Sequence, residues 1–241
     1  MNHDLAWLIE RPIAHRGFHD MNNTRWENTL SAFEAAAGKG YAIECDVMLT
    51  GDGVPVIFHD HDLQRLGGQG GLVWQKTAAE MGALAIGGTA DHAPTLEEAL
   101  ALVDGRVPMV IELKGIYGHD DGLVEAVAAL LRRYQGKAAI MSFDHWLIRQ
   151  FPDKAAGIAG GLTAWGDKPH EIDAHFTMLD YGISFASYHY GHLPNRFVSH
   201  IRDDLSMPVI TWTVRDGAAV KTTFEFADQM TFEGFEPDLT V

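Results

Sequence analysis

Tyr41-Ala42-Ile43-Glu44-Cys45-Asp46-Val47-Met48-Leu49, Thr50-Gly51-Asp52-Gly53 and Val54-Pro55-Val56-Ile57-Phe58-His59-Asp60 follow one another without a break. Two apolar, β-branched runs flank four turn residues, which is the pattern of two strands and a tight connection. Parallel strands need a crossover of about a dozen residues or more, so this connection predicts an antiparallel hairpin over 41–49 and 54–58. Working outward, further β-like runs fall at 12–15, 107–113, 138–142, 157–162, 182–186, 207–213 and 228–232. Amphipathic helical patterns separate most of them, and strand–helix alternation predicts a parallel sheet. Nine runs are one too many for an eight-stranded barrel. With 54–58 set aside as a hairpin strand that leaves the barrel, the other eight fit an α/β chain folded as a (β/α)8 TIM barrel. A doubly wound open sheet is the rival. The hairpin has a chemical consequence: the chain goes out and returns, bringing His59 back beside Glu44 and Asp46.

Local signals support the helices. Asn28 is placed to cap a helix through Leu30, Phe33 and Ala36 that stops at Gly38-Lys39-Gly40. Thr95 with Glu98 forms a capping box for Leu96, Ala99, Leu100 and Val103, and Glu97 reads as first-turn helix chemistry. Helical spacing follows Asp120-Asp121, Asp144 and Asp216. Residues 60–94 break the repeat. They are rich in glycine, with a helix signal near Thr77 to Met81. They read as a small insertion after the second strand, lying on the upper face and covering the site, within a single domain over 1–241.

Of the 241 residues, 46% are hydrophobic, enough for a large core, and the net charge is −15. That sign disfavours nucleic acid and anionic membrane surfaces, and it means an anionic substrate needs local cations. Cys45 is the only cysteine, so no internal disulfide forms; between Glu44 and Asp46 it points to the opposite strand face and reads as a small buried apolar residue. Met1 to Pro12 lacks the basic start and apolar core of a signal peptide. No apolar run nears the roughly 20 residues that span a bilayer. A cytoplasmic protein is expected; oligomeric state is left open.

Glu44 and Asp46 share one strand face by the period of two. With Glu112 at the end of the next barrel strand they make three carboxylates at the face where barrel enzymes place their sites. Oxygen ligands suit Mg²⁺ or Ca²⁺ rather than zinc. His15 follows an apolar strand start, and His59 returns on the hairpin. Unperturbed imidazoles titrate near about pH 6.5, so the two can divide proton transfer at neutral pH. Arg16 and Lys114 are the cations for phosphate oxygens. Glu27 is placed to orient Arg16, Asp60 to hydrogen-bond beside His59, and Trp212 to pack against a carbon skeleton. His189 and His192 follow a strand and are candidates for the pocket wall.

Taken together, His15-Arg16-Gly17, Glu27-Asn28-Thr29, Ile43-Glu44-Cys45-Asp46-Val47, Thr50-Gly51-Asp52-Gly53, Val56-Ile57-Phe58-His59-Asp60, Pro94-Thr95-Leu96-Glu97-Glu98, Ile111-Glu112-Leu113-Lys114, Ser142-Phe143 and Trp212-Thr213-Val214 resemble the glycerophosphodiester phosphodiesterase family. The order and spacing run through most of the chain. Two places depart from the pattern: Trp26 stands where the family usually has Pro, and Met230 to Pro237 lacks the usual Thr-Asp before a Pro. The resemblance implies a (β/α)8 barrel with an insertion after its second strand. It also implies one divalent metal held by Glu44, Asp46 and Glu112, His15 and His59 as the acid–base pair, and Arg16 and Lys114 on the phosphate. The activity implied is hydrolysis of a small-molecule glycerophosphodiester to glycerol 3-phosphate and an alcohol, expected to run through a cyclic phosphate. Rival readings are a phospholipase D of the sphingomyelinase type and a phosphate-binding barrel without turnover; the single cysteine argues against the first and the intact His pair against the second.

Overall fold

The computed structural model describes residues 4–239, so the first three residues of the stretch read as no leader lie outside it. Nine strands form: β1 (Ile13–Ala14), β2 (Ala42–Leu49), β3 (Pro55–Ile57), β4 (Met109–Leu113), β5 (Ala138–Ser142), β6 (Ala159–Ala164), β7 (Phe185–His189), β8 (Val209–Val214) and β9 (Gln229–Phe232). The order is β1-β9-β8-β7-β6-β5-β4-β2-β3, and β1 also pairs with β2. That last pairing closes a barrel of eight parallel strands and leaves β3 outside, antiparallel to β2, with Val47 opposite Ile57. Closure excludes the open-sheet rival. β6 and β7 begin two to three residues later than the apolar runs suggest. Gly157 and Gly182 sit at positive φ just before them, and those turns consume the first residues of each run.

The helices are α1 (Leu30–Lys39), α2 (Gln64–Gly67), α3 (Ala78–Gly82), α4 (Leu96–Val103), α5 (Leu123–Leu131), α6 (His145–Ile148), α7 (Phe151–Lys154), α8 (Pro169–Phe176), α9 (Arg196–Ser199) and α10 (Gly217–Phe226). α1 is capped by Thr29, whose hydroxyl accepts from the Ala32 amide, and not by Asn28. Asn28 has φ 57° and spends its side chain elsewhere. The capping box of Thr95 and Glu98 forms as read, and Leu96, Ala99, Leu100 and Val103 are the buried face of α4. β2 is buried along its whole length, as a barrel strand covered on both faces must be. Cys45 lies in the layer between barrel and helices, and burial pushes its thiol well above the ordinary value, so it is an inert packing residue.

Inside the barrel, Ile13, Val110, Met141, Phe185 and Ile210 fill the lower layers, and Leu5, Trp7 and Leu8 close that end. Residues 60–94 build a separate small core: Leu63, Leu66, Val73, Met81 and Ile86 pack on Met48, Val56 and Phe58 of the hairpin. The insertion buttresses the hairpin from the side rather than covering the site, and none of its residues lines the cavity described next. Among the described residues no helix is long and apolar enough to cross a membrane.

Candidate active site

The site begins at the turn after β1. Arg16 and Gly17 both have positive φ, 54° and 80°. A Cβ on residue 17 would stand 2.8 Å from Phe33 Cδ1 and 2.9 Å from the Ala32 carbonyl carbon, so only glycine lets the chain turn this tightly over α1. The turn aims Arg16 inward. Its amide donates to Glu44 Oε2 at 2.8 Å and its Nη1 to Glu27 Oε1 at 2.7 Å. Its Nε lies 3.2 Å from Asp46 Oδ2 but is aligned with no acceptor. β2 and β4 run in parallel with Asp46 opposite Glu112. With Glu44 one pleat below, the three carboxylates offer oxygens within 4.8 Å of one another, all buried. Asn28 Nδ2 donates to Asp46 Oδ2 at 2.9 Å, and Lys114 Nζ lies 3.1 Å from Glu112 Oε1.

Each imidazole is backed by an acid. His15 Nδ1 contacts Glu233 Oε2 at 2.5 Å, and Glu233 Oε1 accepts from Arg215 Nε at 2.7 Å. His59 Nδ1 contacts Asp60 Oδ1 at 2.7 Å. Asp60 accepts from Arg65, which also donates to Glu27 at 2.8 and 2.9 Å. Arg65 is thus the link between the insertion and the site. Sequence reasoning missed Glu233, Arg215 and Arg65. The signal for Glu233 was available in barrel closure: β9 pairs with β1 so that Phe232 sits beside Ala14, which sets residue 233 beside residue 15.

Burial dominates the electrostatics. It pushes Glu44 well above its ordinary value, and repulsion from Asp46 and Glu112 adds to the push. Glu112 is also raised by burial, against the pull of Lys114. Burial opposes ionisation of Asp46 too, but Arg16, Lys114 and His59 outweigh it and hold that carboxylate well below the usual range. Burial lowers His15 and His59, with Glu233 and Asp46 respectively pulling back up. Glu233 is held low because the hydrogen bond from His15, with His19 Nε2 3.6 Å away and Arg215 beside it, outweighs its burial. Three buried carboxylates against two cations leave the cluster short of positive charge. Oxygen-only donors in that state suit a hard divalent cation, Mg²⁺ or Ca²⁺.

These residues line one cavity of about 240 Å³. His15, Arg16, Glu44, Asp46, His59, Glu112 and Lys114 form one wall; Phe143, His189 and Trp212 belong to the other. Glu27 and Asp60 stand behind the first wall, joined to Arg16 and His59. His192 does not line the cavity, and Glu97 lies on the exposed first turn of α4.

Solved structures share this architecture. A phosphodiesterase of Oleispira antarctica in complex with the product sn-glycerol-3-phosphate superposes with a TM-score of 0.81 at 23% identity, covering 94% of each chain. A glycerophosphodiester phosphodiesterase of Thermotoga maritima gives 0.71 at 23% identity, covering 91% of this chain and 92% of that one. In sequence, a glycerophosphodiester phosphodiesterase of Caldanaerobacter subterraneus is 32% identical over 160 residues, 62% of this chain and 65% of the relative. One from Arabidopsis thaliana is 31% identical over 169 residues, 63% of this chain and 50% of the relative. The matches thus span less than two thirds of those relatives' length. The model of the glycerophosphoryl diester phosphodiesterase family matches residues 15–234. That span opens on His15, closes just past Glu233 and takes in every residue lining the cavity, and on that match the chain belongs to the glycerophosphoryl diester phosphodiesterase family.

Proposed function

We propose that the protein hydrolyses glycerophosphodiesters to glycerol 3-phosphate and an alcohol, with a divalent cation bound by Glu44, Asp46 and Glu112. One observation carries the reading: three mutually close buried carboxylates share a cavity with two acid-backed imidazoles and two part-buried cations. The whole chain, insertion included, acts as one catalytic unit, and its single cysteine fits a reducing compartment such as the cytoplasm.

Held by Glu44, Asp46 and Glu112, Mg²⁺ or Ca²⁺ would supply positive charge that offsets the phosphate's and makes the neighbouring hydroxyl more acidic. Arg16 and Lys114 hold non-bridging phosphate oxygens, while Trp212 packs against the carbon skeleton. Glu233 and Asp60 engage the Nδ1 atoms, which leaves Nε2 of each ring for the reaction. One imidazole takes the proton of the glycerol 2-hydroxyl as its oxygen bonds to phosphorus. The other gives a proton to the departing alkoxide as the phosphorus–oxygen bond to the alcohol breaks. A cyclic 1,2-phosphate results, and water opens it with the two roles exchanged. Glu27 holds Arg16 from behind throughout. Proton transfer of this kind contributes about 10²–10⁴-fold. His15→Ala and His59→Ala are therefore each expected to lose at least about a hundredfold in turnover of a glycerophosphodiester with Mg²⁺ or Ca²⁺ present. Full activity in either variant would end the assignment.

A further inference from the structure

The wall opposite the carboxylates does not stop at the cavity. Phe143 and Trp212 meet edge to face at 5.2 Å between ring centroids, and Trp212 meets His189 at 5.0 Å. His189 lies 4.9 Å from His192, and His192 lies 6.5 Å from Trp165. Five rings therefore run without a gap from the cavity wall to Trp165, which is 62% exposed. Trp212 is fixed in this line by its indole N–H, which donates to the Ser187 carbonyl. Phe143 and Trp212 belong to stretches that carry the family resemblance, whereas the His189-Tyr190-Gly191-His192 segment belongs to none of them.

The tautomers are set by the backbone. His189 Nδ1 accepts from the Gly191 amide at 3.2 Å, and His192 Nδ1 accepts from the Gly166 amide at 2.8 Å. Each neutral ring therefore carries its proton on Nε2, and neither Nε2 has a hydrogen-bond partner among the described residues. Arg215 stands at the same mouth, half-exposed, with Glu233 as its partner. The carboxylates lining the cavity are confined to the opposite wall. The track thus offers flat apolar faces and hydrogen-bond donors.

A cavity of about 240 Å³ lies below the roughly 300–1,000 Å³ of sites that enclose a drug-sized ligand. One half of a diester fills it, and the other half emerges at the mouth. Resting on the phosphodiesterase reading above, we propose that the outer track, His189, His192 and Trp165, seats the leaving alcohol and selects an uncharged, hydroxyl-rich one, a polyol or a sugar, over an ammonium alcohol. Ring faces pack against the C–H faces of such a group, and the two Nε2–H donors meet its hydroxyl oxygens. A quaternary ammonium would gain from the rings but would meet the Arg215 guanidinium at the mouth, on a side of the cavity lining that carries no carboxylate.

The test compares kcat/KM on glycerophosphoglycerol and glycerophosphoinositol with that on glycerophosphocholine, in the wild type and in Trp165→Ala and His192→Ala. Both substituted side chains are exposed or half-exposed, and unchanged melting confirms the fold. The wild type should favour the polyol diesters about tenfold, and each variant should cut that preference by about threefold or more, chiefly through KM, the size of one neutral hydrogen bond or ring contact. A wild type that favours the choline diester, or variants that leave the preference unmoved, would overturn the inference while the phosphodiesterase reading stands. Failure of the wild type to hydrolyse any of the three diesters would overturn that reading and this one with it.

Discussion

Glu233 offers the sharpest perturbation, because it touches the reacting imidazole without belonging to the carboxylate cluster. Its two oxygens serve two donors: Oε2 faces His15 Nδ1 at 2.5 Å and Oε1 accepts from Arg215. Glu233→Gln keeps the shape but has a single acceptor end, so it cannot satisfy both. Arg215 is 58% exposed and can turn to water, whereas His15 is 14% exposed and cannot. The amide oxygen therefore goes to His15, and a charge-assisted contact becomes a neutral one. Charge-assisted hydrogen bonds are worth about 1.5–3 kcal/mol and neutral ones about half that. The loss in the transition state, where the ring gains positive charge, is then about 0.8–1.5 kcal/mol, or roughly 4- to 12-fold in kcat. Glu233→Ala should lose more, because Nδ1 then has no partner; Glu233→Asp should lose less, because the charge stays and only reach is lost. The assay follows sn-glycerol 3-phosphate release with kcat and KM resolved separately, and calorimetric binding of the divalent cation as a control that should not move. Wild-type kcat in Glu233→Gln, or a loss confined to KM, would refute the reasoning.

Three further outcomes follow from the same geometry. Glu27 is 5% exposed, and although burial opposes its ionisation, Arg65 and Arg16 hold it at about 2 against an ordinary 4.5. A folded-state pKa below the unfolded one stabilises above the unfolded value and is lost as pH falls through the folded one; the shift is worth ~3 kcal/mol, fading between about pH 4.5 and 2. Urea melts from pH 5.5 to 3 should therefore converge for the wild type and Glu27→Gln, and parallel curves would contradict the linkage. Gly17→Ala should cost about 2 kcal/mol or more, since it adds both a disfavoured φ and three contacts under 3 Å; a melting temperature within a degree of wild type would show that the turn relaxes. Asn28→Ala removes the donor to Asp46 Oδ2 and is expected to weaken cation binding about tenfold, the low end for a residue that orients a metal ligand. Unchanged binding by calorimetry would return Asn28 to a purely structural part.

The barrel was legible because one connection was too short to be anything but a hairpin, and subtracting that strand left eight. The carboxylate cluster was legible for a similar reason: Glu44 and Asp46 are two apart on a strand, and a parallel neighbour brings Glu112 into register. What escaped depended on long-range closure. Glu233 reaches His15 only because β9 lies beside β1, and no local pattern around residue 233 announces it. Asn28 was misread because Asn is a good helix cap; the structure gives the cap to Thr29 and turns Asn28 toward Asp46 through a positive φ. The insertion's part was misjudged because glycine content marks turns and says nothing of position. Its small core sits on the hairpin, and Asp60 and Arg65 reach toward the site.

The most direct test follows phosphorus. Protein stripped with chelator is incubated with a glycerophosphodiester and watched by phosphorus NMR, first without and then with Mg²⁺ or Ca²⁺. Release of sn-glycerol 3-phosphate should begin on addition of the ion, pass through a cyclic phosphate signal when water attack is slowed, and stay near background in Glu112→Gln. Equal turnover with the chelator present, or undiminished turnover after that substitution, would contradict a site in which Glu44, Asp46 and Glu112 hold the ion that makes the phosphate reactive.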